Sequence, residues 1–136
     1  MKEYSDSYLN KMWRLAVLKK YKNKCFFCGI SISNAELECH HLVKRKNLLL
    51  RWDYRNGIAV CKYPHDFNKP MKTSCHQYAE TPVGRLKIAR EKFQYDEYFQ
   101  ERIIPFKQWL LDNRMSKAEF KLKMYNELKE IIEFNT

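Results

Sequence analysis

Leu37-Glu38-Cys39-His40-His41-Leu42-Val43 is the stretch on which the reading of this chain turns. Leu37, Cys39, His41 and Val43 alternate with Glu38, His40 and Leu42, the two-residue period of a strand. A strand is therefore expected across Glu36 to Val43, and a second, short one across Gly57 to Cys61. Successive strand side chains face opposite ways, so His40 and His41 can address one ligand only if the strand bends at its end.

Spaced cysteines frame these histidines. Cys25-Phe26-Phe27-Cys28-Gly29 presents two thiolates from one turn, with Gly29 free to take a backbone conformation that other residues resist. Cys61 and Cys75 are the natural second pair, and the set would close a tetrahedral structural zinc site that staples distant segments together. A redox role for Cys25 and Cys28 is the alternative, but the sequence around them lacks the alternating strands and helices of that use. Cys39 is left over and reads as a small apolar core residue. An odd cysteine number and no apolar run at Met1-Lys2-Glu3-Tyr4-Ser5-Asp6 point to an intracellular, reducing setting. No apolar run approaches the roughly 20 residues that a bilayer crossing requires, so no membrane partner is expected.

The length of 136 residues fits one domain with a modest core. The net charge of +10 is uneven: residues 1–75 hold 15 Lys or Arg against 6 Asp or Glu, and residues 76–136 hold 11 against 10. The basic half is thus the half with the paired histidines. Lys19, Lys20, Lys22 and Lys24 lead into the first cysteine pair, and Lys44, Arg45, Lys46, Arg51 and Arg55 follow the histidines. That distribution suits a polyanion such as DNA crossing the site; a solvated basic face is the plainer alternative.

Ser7 to Lys20 has the pattern of an amphipathic helix, with Leu9, Met12, Trp13, Ala16 and Leu18 on its apolar side. A second helix is expected from about Val83 to Phe99, with Pro82 delaying its start, and Pro105 marks a break. Ser116-Lys117-Ala118-Glu119 matches a capping box for a last helix with Phe120, Met124, Leu128, Ile131 and Ile132 on one face. Trp52 reads as core, Asp53 as a turn residue, and Glu38 either as support for a ligand histidine or as an exposed strand carboxylate. No Gly-rich phosphate loop is present.

Trp13-Arg14-Leu15-Ala16-Val17-Leu18-Lys19, Cys25 to Gly29, Leu37 to His41, Asn56, Cys61 and Cys75-His76 together resemble the HNH endonuclease family over roughly residues 13 to 78. More narrowly, Leu50-Arg51-Trp52-Asp53-Tyr54-Arg55-Asn56 through Cys61, with Cys75-His76-Gln77, is similar to phage NinG-type recombination nucleases. The resemblance implies a bacterial or phage-encoded protein with a ββα-metal site above a four-cysteine zinc. It implies His40 as first ligand of a catalytic divalent ion, His41 as general base, Asn56 as the residue that ties down the loop and orients His41, and His76 as final ligand at a helix start. The family pattern puts a cysteine and histidine where Pro64-His65 stands. His76 is preferred to His65 because Cys75 restores the missing cysteine with it.

The expectation is a single α+β domain, core about 13–99 with a helical extension about 100–136, acting on DNA as a divalent-metal-dependent endonuclease. The catalytic ion would be Mg²⁺ or Mn²⁺, with Ni²⁺, Co²⁺ or Zn²⁺ as alternatives. The competing reading is a zinc-stabilised nucleic-acid-binding module without catalysis. DNA structure preference and oligomeric state are not written in the sequence.

Overall fold

The computed structural model describes residues 3–64 and 73–134, so His65 lies outside the described residues. Its architecture is mixed α+β. Helix α1 (Asp6–Lys20) precedes an antiparallel pair, β1 (Leu37–His41) and β2 (Gly57–Cys61). Then come α2 (Cys75–Ala79), α3 (Pro82–Lys92), a 3-10 turn (Phe93–Tyr95), α4 (Asp96–Gln100), α5 (Phe106–Asp112) and α6 (Lys117–Phe134).

The start of α1 is fixed by Ser5, whose hydroxyl accepts from the Tyr8 amide, and by Asp6 against the helix dipole. Leu9, Trp13, Ala16, Val17 and Leu18 are its buried residues. Leu18 packs with Ile30, Leu37, Ile58 and Val60 around the cysteines. Leu9, Trp13 and Val17 pack with Trp52, Phe120, Met124 and Leu128. The two clusters therefore meet along α1, and α6 contributes to the core. Lys121 fixes that docking: its ammonium is buried and donates to the Tyr4 carbonyl at 3.1 Å, with Asp6 Oδ1 at 2.7 Å. The Ser116 capping box forms in both directions, Glu119 N to Ser116 Oγ and Ser116 N to Glu119 Oε1.

In the sheet, Leu37 pairs with Cys61 and His41 with Gly57, which sets both histidines at the end of β1 beside the start of β2. Every residue of β2 is buried. Gly57 is required there by close approach, since a Cβ would stand 2.6 Å from the Trp13 ring and 2.7 Å from Val17. Gly29, at φ +78°, takes the left-handed conformation foreseen for the cysteine knuckle.

The single helix expected over Val83 to Phe99 is instead α3, the 3-10 turn and α4. Pro82 does not delay α3 but begins it, because its missing N–H costs nothing at a first helical position after the Thr81 cap. The tighter turn at Phe93–Tyr95 buries Phe99 and brings the Tyr98 hydroxyl to Asp53. Likewise Pro105 ends one segment but opens α5.

Candidate metal centres and histidine site

Cys25, Cys28, Cys61 and Cys75 converge, all four buried, with one ligand atom from each within 4.8 Å of the others. The knuckle forms because Cys25 N donates to the Ile30 carbonyl at 2.9 Å and Gly29 N to the Cys25 carbonyl at 3.0 Å. Ser74 supplies the fourth member by capping α2: Gln77 N donates to Ser74 Oγ, and Ser74 N donates to Gln77 Oε1. Cys75 N in turn donates to Cys61 Sγ at 3.2 Å. A hydrogen bond from Cys75 holds the Cys25 thiol down at about 4, whereas burial pushes Cys28 up to about 11. Four sulfurs this close cannot all be thiolates without a cation among them, and the set is compatible with a structural metal such as zinc. Cys39 is half-buried against both core clusters and donates to the Arg14 carbonyl.

A second group lies at the end of β1. His40, His76 and Glu80 each offer a ligand atom within 4.8 Å of the others. His40 Nε2 is 3.7 Å from Glu80 Oε1, and the two imidazoles meet edge to face at 5.3 Å. His76 Nδ1 donates to Glu38, a carboxylate–histidine contact that leaves Nε2 open to a cation. Burial, above all, lowers the His40 pKa, which favours the neutral, ligating form. Glu80 escaped the sequence reading. Its signal was the four-residue spacing from His76, which puts two side chains on one side of a helical turn.

His41 stands apart from that cluster. Its Nε2 is 2.9 Å from the Arg51 carbonyl, and its ring lies on the Trp13 indole, centroids 3.8 Å apart and planes 7° from parallel. A carbonyl only accepts, so Nε2 carries the hydrogen and Nδ1 keeps its lone pair. Burial pulls the pKa of His41 from 6.5 to about 4, which keeps the ring neutral at physiological pH.

Asn56 is fully buried and grips the connection between the strands. Its Oδ1 accepts from Val43 N at 2.7 Å, and its Nδ2 donates to the carbonyls of Val43 at 2.9 Å and Leu50 at 3.0 Å. Leu50 immediately precedes the carbonyl that receives His41, so Asn56 and His41 share one braced segment. His40, His41, Lys44 and Glu80 wall two cavities, one of about 630 Å³ toward α3 and one of about 580 Å³ toward Trp13, Arg14 and Arg45.

The basic residues divide. Lys44 lines both cavities and Arg45 the one toward Trp13, and Lys46 is exposed. Arg51 sits near Asp6 at 3.7 Å and over the Trp52 ring. Arg55 binds both Asp53 oxygens at 3.0 and 3.1 Å and the Tyr98 hydroxyl at 3.1 Å, and lines a separate cavity with Lys20 and Tyr95. Neither Arg51 nor Arg55 lines the histidine cavities. Asp53 is more than the turn residue expected: it is a buried carboxylate that caps the 3-10 turn Tyr54–Asn56.

No known protein family matches this chain, and no match is found among curated proteins or solved structures. Among the described residues no helix is long and apolar enough to cross a membrane.

Proposed function

We propose that this chain is a divalent-metal-dependent DNA endonuclease of the HNH type, with His41 as its general base. The observation that carries the reading is the placement of His41, its Nε2 held 2.9 Å from the Arg51 carbonyl, one residue from the His40–His76–Glu80 cluster. Two imidazoles and a carboxylate fit a divalent ion, and three protein ligands leave positions open for water and a phosphate oxygen. Such a donor set favours Mn²⁺, Co²⁺, Ni²⁺ or Zn²⁺ over Mg²⁺ in affinity. Bound there, the ion would polarise the scissile phosphate and stabilise the departing sugar oxygen.

The chain's own residues would do the rest. His41 Nδ1 takes a proton from the attacking water, and the Arg51 carbonyl stabilises the resulting imidazolium. Asn56 keeps that carbonyl in place through the Leu50 peptide. Glu38 orients His76 as a ligand. Lys44 and Arg45 face the phosphates that flank the reacting one.

Cleavage of supercoiled plasmid across a titration of Mg²⁺, Mn²⁺, Co²⁺ and Ni²⁺ tests the reading, with His76→Ala and Glu80→Ala as probes. The expected result is EDTA-sensitive cleavage in the wild type and partial rescue of each variant by excess ion. DNA binding without cleavage under every ion would favour the non-catalytic zinc-stabilised binding module instead.

A further inference from the structure

The larger cavity beside the histidines is more than a path for a sugar-phosphate backbone. Its lining holds His40 and His41 together with an apolar set, Ile88, Phe93 and Phe99. Phe93 comes from the 3-10 turn between α3 and α4 and is 78 % exposed. A single exposed phenyl is ordinary on a protein surface. This one lines the same cavity as the proposed reacting groups, His40 and His41. Lys44, Arg85 and Lys92 also line the cavity, against the carboxylates Glu80 and Asp96. Glu80 already contacts His40 and Arg85, at 3.7 and 3.2 Å.

A DNA duplex presents phosphates, sugars and base edges, and keeps the faces of its bases stacked inside. It can offer Phe93 sugar carbons or a thymine methyl but no free base face. An unstacked base has a free π-face, and cationic groups around an aromatic platform are the arrangement that holds single-stranded nucleic acid. We propose that this cavity is a subsite for an unpaired nucleotide next to the scissile phosphate, its base stacked on Phe93 and its phosphate held by Lys44. The inference rests on the nuclease reading for the path of the strand, and it narrows the substrate to DNA with an unpaired nucleotide at the cleavage site.

The test uses the full chain as purified, with no divalent ion added and no chelator, so that the cysteine site keeps its metal and cleavage does not intervene. A single-stranded oligonucleotide carrying 2-aminopurine and the matching duplex are bound to wild type, Phe93→Trp and Phe93→Ala, with fluorescence and affinity both read. The wild type and Phe93→Trp are expected to quench the single-strand probe and prefer it to the duplex. Phe93→Ala is expected to lose the quenching and to bind the single strand about 5- to 150-fold more weakly, the equivalent of one stacked base. Equal single-strand affinity and quenching in Phe93→Ala and wild type would overturn the subsite. So would a tightly bound unstructured peptide that displaces no oligonucleotide from the wild type and is itself lost in Phe93→Ala. Cleavage in divalent ion of a duplex that carries an unpaired nucleotide is scored separately. Cleavage with no Phe93 dependence of binding sinks this inference alone, whereas Phe93-dependent binding without cleavage under any ion supports the subsite and sinks the nuclease.

Discussion

The Trp13 indole lies flat on the His41 imidazole, and its own Nε1 donates to the Asp53 carbonyl at 2.8 Å. The proposed base is therefore held on one side by a ring that is itself pinned to the inter-strand segment. Trp13→Phe should keep the stack and most activity. Trp13→Ala should lower kcat by one to two orders of magnitude with little change in KM, because a misplaced base fails in the reacting geometry and not in binding. An unchanged kcat in Trp13→Ala would show that the stack serves the core alone.

The neutrality of His41 has a consequence for stability. Its folded pKa lies below the unfolded value of 6.5, so the unfolded chain takes up a proton that the folded chain resists. This contribution is complete above about pH 6.5 and is lost as the pH falls toward about 4. Chemical denaturation of wild type and His41→Gln across that window should show the wild type losing stability relative to the variant. Parallel profiles would contradict the burial of a neutral imidazole.

Much of the local architecture was legible in the sequence, and the reasons are physical. The alternation through Leu37 to His41 signalled β1, the Ser116–Glu119 box signalled α6, and Cys25-x2-Cys28-Gly29 signalled the knuckle, since each is a pattern within a few residues. Ser74-x-x-Gln77 carried the same kind of signal for α2 and passed unread. What could not be read was long-range. Asp53 and Tyr98 are 45 residues apart, and only the folded chain shows that a turn aspartate is a buried partner of two side chains. Glu80 joined the histidine cluster for a similar reason: its place depends on where α2 docks against β1.

That buried network separates two kinds of arginine and lysine. Arg55→Ala should cost about 1–3 kcal/mol, since it leaves the Asp53 carboxylate short of a charged partner, and should leave the salt dependence of DNA binding unchanged. Neutralising Lys44 and Arg45 should leave the thermal midpoint near wild type and flatten the slope of log affinity against log salt by about 0.9 per lost phosphate contact. Equilibrium binding at several salt concentrations, beside thermal melts, checks both. A flattened slope in Arg55→Ala would put the DNA over the Asp53–Tyr98 side.

The two candidate metal centres should differ in what their removal does. The purified protein is expected to hold about one tightly bound zinc per chain, and Cys25→Ser or Cys61→Ser should lose it together with the cooperative thermal transition. His76→Ala should keep the zinc and the transition. Elemental analysis finding no zinc in folded, native protein would count against the four-cysteine site.

The most direct test of the account is the single-turnover cleavage rate of His41→Ala against wild type, in saturating Mn²⁺ and with zinc content and DNA affinity measured on the same samples. Removing the proton acceptor should slow cleavage about 10²- to 10⁴-fold and leave zinc and affinity near wild type. A His41→Ala protein that cleaves at the wild-type rate would contradict the account.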